Sequence, residues 1–133
     1  MNNILITGAA GFIASYIIEE LLKNNLNTII GIDNFYSGTK NNIEYLKSID
    51  KNKKFIFIEA DIVDFDKINN IIKDYNISQV YHLAAIVSVQ DSIENPLLSN
   101  EVNVKGTVNI LESSRLNNVK RVVFSSSAAV YGD

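Results

Sequence analysis

The chain has no cysteine, a single histidine and a single proline. Without thiols there are neither disulfides nor thiolate metal sites, and the lone His82 cannot build a histidine cluster, so no metal centre is expected. Long apolar runs are also missing. No stretch approaches the length needed to cross a bilayer, and Met1-Asn2-Asn3 supplies neither a basic leader nor a long apolar core, so the chain is read as cytoplasmic with no membrane partner. Any excess of one charge sign is small as well: a net charge of −3 gives no general pull toward nucleic acid or anionic lipid. Neither a 20–50-residue repeat nor a low-complexity segment is present. What remains is 133 residues, 47% hydrophobic and 20% charged, the size and make-up of one globular domain with a sizeable core.

That core is organised around the first turn. Ile4-Leu5-Ile6 is a short apolar run, Thr7-Gly8-Ala9-Ala10-Gly11 a glycine-bracketed turn, and residues 12–22 an amphipathic run, so a buried strand feeds directly into a helix. The first N–H groups of such a helix have no intrahelical partner, and together with the helix dipole they favour an anion. Gly8 allows the turn, Gly11 allows a pyrophosphate to approach the backbone, and Ala14 allows helix and strand to pack closely. A plain structural turn is the competing reading. A second apolar strand, 28–32, ends at Asp33 about twenty residues later, where a carboxylate can accept hydrogen bonds from an adenosine ribose. Asp33 would repel a 2′-phosphate and no Arg follows it, which favours NAD over NADP; the alternative is a solvated Asp closing a strand.

Further along, a helix over 11–24 ends in an Asn24-Asn25 turn, and residues 34–42 read as a polar loop at the carboxyl end of strand two. A short helix over 43–49 follows, then strand three over 55–60 ending in Asp61. Asp61 either faces an adenine amino group or caps the next helix, 64–74, which Asp64 or Asp66 could also cap. Residues 79–85 form strand four and a small-residue turn, and His82 on that apolar strand reads as a core histidine. Pro96 opens the longest helical run, to Leu116, in which Gly106 suggests close contact with a neighbour. Strand five, 119–124, emerges into Ser125-Ser126-Ser127, three hydroxyls suited to a sugar hydroxyl or ketone, or else a turn capping the next helix. Five alternations of strand and helix predict a doubly wound parallel α/β sheet in the order 3-2-1-4-5.

Taken in order, Thr7-Gly8-Ala9-Ala10-Gly11-Phe12-Ile13-Ala14, Asp33-Asn34, Asp61-Ile62, His82-Leu83-Ala84-Ala85, Asn103-Val104-Lys105-Gly106-Thr107 and residues 125–132 resemble the extended short-chain dehydrogenase/reductases. Within them the likeness is to NAD-dependent nucleotide-sugar epimerases of the UDP-glucose 4-epimerase type, members of the NAD-dependent epimerase/dehydratase family. The resemblance covers essentially the whole chain. It implies a Rossmann-type domain over residues 1–133 that binds NAD and forms the N-terminal part of a longer enzyme, cut before the remaining strands and the substrate domain.

The resemblance also implies roles. Gly8, Gly11, Phe12 and Ile13 carry the pyrophosphate; Asp33 and Asn34 hold the ribose, with Phe35, Ser37 and Gly38 lining that side. Asp61 and Ile62 frame the adenine, and Leu83, Ala84, Ala85 and Val87 contact the cofactor nearer the nicotinamide. Ser127 matches the serine that binds the reacting sugar hydroxyl, the one catalytic residue carried over, and Ser126 would be a neighbouring substrate contact. The implied substrate is a UDP-sugar, oxidised at C4 by hydride transfer to NAD and reduced from its other face, and the full-length enzyme would be a homodimer. The family's general base, a Tyr followed four residues later by Lys, falls about two dozen residues beyond the serine, and none of the six tyrosines present is read as its substitute. The chain alone is therefore expected to be inactive, with a non-catalytic dinucleotide-sensing module as the reading from another class and a related NAD-dependent nucleotide-sugar dehydratase or reductase as the third. Val87 stands where the best-known galactose-metabolising epimerases carry Lys. Ala128-Ala129 stands where the related 4,6-dehydratases carry an Asp-Glu pair, which disfavours dehydration.

Overall fold

The computed structural model describes residues 2–24 and 26–132; Asn25 of the expected Asn24-Asn25 turn and the final Asp133 lie outside them. Five strands, β1 (Asn3–Thr7), β2 (Thr28–Asp33), β3 (Phe55–Glu59), β4 (Ile77–His82) and β5 (Arg121–Phe124), form one sheet in the order β3-β2-β1-β4-β5. Every neighbouring pair is parallel, as the alternation of strand and helix predicts.

Side chains alternate across a strand, so β1 feeds two cores. Leu5 joins Ile30, Ile32 and Val80 beneath α3 (Phe65–Asp74) and α6 (Thr107–Leu116). Ile4 and Ile6 join Ile29, Ile18, Ile43 and Leu46 beneath α1 (Phe12–Lys23) and α2 (Lys40–Ile49). Covering both faces buries the central strand completely, which is why it reads as an unbroken apolar run rather than an alternating one.

Several boundaries depart from the sequence expectation. Helix α2 starts at Lys40, three residues before the expected 43, because the Thr39 hydroxyl accepts from the Asn42 amide and caps it. Strand β4 starts at Ile77 and ends at His82, and β5 begins at Arg121. A short helix, α4 (Val89–Glu94), fills a stretch the sequence left unassigned; it is capped by Ser88, whose hydroxyl accepts from Asp91 N. The run from Pro96 to Leu116 is helical throughout but not uniform: α5 (Pro96–Asn100) passes through a π-helical segment, Glu101–Gly106, into α6. Such π insertions are rare and shift the phase of the side chains that follow. Gly106 makes the expected close contact, since a Cβ there would lie 2.6 Å from Ile62 Cδ1.

Between the two capping candidates for α3 the outcome is Asp64, whose carboxylate accepts from Lys67 N at 3.0 Å. Asp64→Ala should lower stability by about 1 kcal/mol. Urea unfolding of both proteins measures it, and identical midpoints would remove Asp64 from that role.

Candidate functional site: the loops at the carboxyl edge of the sheet

Four loops converge where the strands end. After β1 the chain turns at Gly8, held at φ +71°, and a Cβ there would also sit 3.0 Å from the Ala84 amide nitrogen, so only glycine suits the position. The turn closes on itself and on its neighbours: Gly11 N donates to Gly8 O (2.9 Å), Ala9 N to Ile32 O (3.1 Å) and Ala10 N to Asp33 Oδ2 (3.0 Å). Helix α1 then begins with Gly11 as its N-cap, a residue with no side chain to cap it. The first-turn N–H groups, Phe12 and Ile13 among them, lack intrahelical acceptors at that end. They are the donors the turn leaves for an outside anion.

The loop after β2 is bound to this turn by its own backbone. Asp33 Oδ1 accepts from Phe35 N (2.7 Å), which holds Phe35 in the left-handed region at φ +59°. Ala10 O accepts from both Thr39 N (3.1 Å) and Asn42 Nδ2 (2.8 Å). Gly38 is pressed against Ala10, where a Cβ would lie 2.6 Å from the Ala10 methyl. Asp33 is half-buried and each of its oxygens accepts one backbone N–H, and a carboxylate oxygen has a second lone pair for a further donor. Ser37 and Asn34 are exposed on the same loop. The Phe35 ring packs 5.3 Å from Phe57, with Lys40 Nζ 5.7 Å from its centroid.

After β3, Asp61 does not cap α3. Its Oδ1 accepts from Val63 N (3.0 Å) and its Oδ2 from Asn34 Nδ2 (2.9 Å), so it ties the β2 and β3 exits together. Buried Asn109, on α6, donates to both Ile62 O and Val63 O at 3.0 Å and fixes the loop from below. After β4, Leu83 N and Ala84 N both donate to Thr7 Oγ1 at 3.0 Å, while Asn103 grips Ile86 by its N–H (2.8 Å) and its carbonyl (2.9 Å). Ala85 and Val87 are exposed there, Val87 at 85%. His82 is buried, as expected of a core histidine, and desolvation lowers its pKa to about 4.

The serines after β5 are exposed, and Ser127 is the N-cap of a short 3₁₀ turn, Ala128–Tyr131, accepting from Ala129 N at 3.1 Å. The capping alternative is therefore realised at Ser127. Tyr36 stands four residues before Lys40. The two are not brought together on one helix face, because α2 starts only at Lys40; Lys40 lies over Phe35 instead.

Thr7, Asn103, Thr107 and Asn109 were not among the residues singled out as site residues. Each reaches backbone or ring atoms of a segment distant in sequence, and neither periodicity nor spacing signals such a contact. A polar residue on an otherwise core-facing helix surface, as at Asn109, is the one hint available.

A glycine turn into an uncapped helix, acidic residues at the ends of β2 and β3, and a 3-2-1-4-5 parallel sheet define a Rossmann-type domain of the short-chain dehydrogenase/reductase kind. The family model described as GDP-mannose 4,6 dehydratase matches residues 5–133, and the chain belongs to that family, a branch of the NAD-dependent epimerase/dehydratases. It is 40% identical over 129 residues to the UDP-glucose 4-epimerase of Mycolicibacterium smegmatis, covering 96% of this chain and 40% of that protein. Among solved structures it is similar to the UDP-glucose 4-epimerase of Bifidobacterium longum in complex with NAD+ and UDP, at 32% identity and a TM-score of 0.88, over 98% of this chain and 38% of that one. The UDP-glucose 4-epimerase of Stenotrophomonas maltophila with bound NAD gives the same TM-score at 30% identity, over 100% and 39%. The chain thus spans about 40% of the length of these relatives. Among the described residues no helix is long and apolar enough to cross a membrane.

Proposed function

We propose that residues 1–133 are the NAD-binding domain of a longer, cytoplasmic nucleotide-sugar 4-epimerase acting on a UDP-sugar. The observation that carries this is the pairing of an uncapped helix start at Gly11 with Asp33 on the adjacent strand end, joined through the Ala10 amide. The donor set suits a dinucleotide: free first-turn amides for a diphosphate, a carboxylate for ribose hydroxyls, and small residues on both sides of the crevice. Relatives of matching fold bind NAD.

In this reading Phe12 and Ile13 donate their N–H groups to the diphosphate, and Asp33 accepts from the ribose with Asn34 beside it. Asp61 and Ile62 form the adenine wall, and Leu83, Ala84, Ala85 and Val87 the opposite one. When bound, NAD supplies a reversible hydride acceptor for the sugar C4. Ser127 hydrogen-bonds the sugar hydroxyl that is oxidised, and Ser126 is a neighbouring substrate contact. Ala128 and Ala129 hold no acid or base that could move a C5 proton, which favours epimerisation over the dehydration named in the family's description. An exposed apolar row on the long helix, Val104, Val108 and Leu111, supports a homodimer of the full-length protein.

Calorimetric titration tests the cofactor: NAD should bind at least about tenfold more tightly than NADP, because Asp33 meets the 2′-phosphate as a like charge. Equal or tighter NADP binding overturns the role of Asp33. Incubation of the full-length protein with UDP-glucose or UDP-N-acetylglucosamine should yield the C4 epimer without net NADH consumption. Release of water would point to the dehydratase instead.

A further inference from the structure

His82 is the only histidine, it is 2% exposed, and the proposed chemistry does not use it. Its ring lies between two threonine hydroxyls, with Nδ1 2.7 Å from Thr7 Oγ1 and Nε2 3.0 Å from Thr107 Oγ1. Ring distances alone do not say which nitrogen carries the proton. The threonines do. Thr7 Oγ1 accepts two N–H groups, from Leu83 and Ala84. A hydroxyl has two lone pairs and one proton, so with both pairs occupied it can only donate to Nδ1. At the other side, the Thr107 hydroxyl donates to Asn103 O at 2.7 Å. Its proton is committed, so it accepts from Nε2–H. Two independent donor counts give the same tautomer.

We propose that Thr7, His82 and Thr107 form a one-directional hydrogen-bond array, with His82 as the Nε2–H tautomer, that positions the Leu83–Ala84 backbone at the mouth of the sheet. The array joins the end of β1, the end of β4 and the start of α6. Its ordering has a chemical consequence: the Leu83 and Ala84 N–H groups are committed to Thr7 and are withdrawn from any ligand. The Phe12 and Ile13 amides at the uncapped helix start are then the backbone donors offered to a diphosphate, and the Leu83–Ala84 turn offers none. Protonation of His82 would point a second donor at Thr7, whose lone pairs are both in use, and its lowered pKa agrees with that. Thr7 and His82 are positioning residues, since they act through the β4 exit. The ligand part of the proposal rests on the cofactor reading above; the array itself does not.

Two measurements on the full-length protein separate these. The long-range 1H–15N spectrum at neutral pH, with His82 identified by loss of its signals in His82→Asn, should show the neutral Nε2–H pattern. Hydrogen exchange should find the Leu83 and Ala84 amides protected. An Nδ1–H or doubly protonated ring, or unprotected amides, overturns the array; the hydrogen-exchange readout uses the wild-type protein alone, so it holds even if a variant fails to fold. Thr7→Val should weaken NAD binding about tenfold, whereas Thr7→Ser, which keeps Oγ, should stay within about twofold of wild type. Equal damage from both substitutions overturns the positioning role. If the wild-type protein shows the tautomer and the protection but does not bind NAD, the cofactor reading falls and the array stands.

Discussion

Asp33→Ala is expected to weaken NAD binding by about 100-fold and to lower stability by about 2 kcal/mol. The two effects have one origin. The carboxylate accepts from Ala10 N at 3.0 Å and Phe35 N at 2.7 Å, so it holds together the glycine turn and the loop that lines the adenosine side. Without it both amides lose their acceptor, and Phe35 loses the bond that keeps it at φ +59°. A non-glycine residue in that region costs about 1–2 kcal/mol and persists only while its surroundings enforce it. Loss of a charged acceptor for the ribose accounts for roughly tenfold or more, and displacement of the Phe35–Gly38 loop for the remainder. Asp33→Asn should be nearly as damaging, because both oxygens now accept and an amide NH₂ would meet an N–H donor. Removing the charge should also narrow the preference for NAD over NADP. Calorimetry with both nucleotides and urea unfolding of each variant measure these effects. Unchanged NAD affinity would show that Asp33 serves only the fold.

The sheet was legible in the sequence because its strands are buried on both faces. Ile4-Leu5-Ile6 and Ile29-Ile30 have no other reading once a glycine or an acidic residue ends each run, and short connections then impose parallel order. The ring of loops was legible for the same reason, since the candidate residues from Gly8 to Ser127 lie at the end of a strand or in the turn and helix start that follow it. Helix starts were less so. In the polar stretch 34–42 any of several residues could cap, and only the Asn42-to-Thr39 bond selects Thr39. The π segment had no signal, because Glu101–Gly106 is as compatible with an α-helix as with a wider turn. The supports beneath the loops were hidden altogether: Asn109 reaches Ile62 across 47 residues and Thr7 reaches Ala84 across 77. Contacts of this kind depend on the finished fold, not on local pattern.

Acidification should destabilise the protein through His82. Burial lowers the His82 pKa from its ordinary 6.5 to about 4, and desolvation is the cause. Between those values the unfolded chain takes up a proton that the folded chain refuses, so unfolding gains free energy as the pH drops. Stability from this group is complete above pH 6.5, falls by about 1.4 kcal/mol per pH unit below it, and levels off near pH 4 at a total loss of about 3 kcal/mol. The hydrogen-bond array gives the same sign, because an imidazolium has no acceptor at Thr7. Urea unfolding at intervals from pH 7.5 to 4 should therefore show wild type losing ground to His82→Asn. The variant starts lower, having lost the Thr107 contact, and its deficit should shrink as the pH falls. Parallel curves for the two proteins would mean that His82 takes up its proton equally in the folded and unfolded states, so that burial does not lower its pKa.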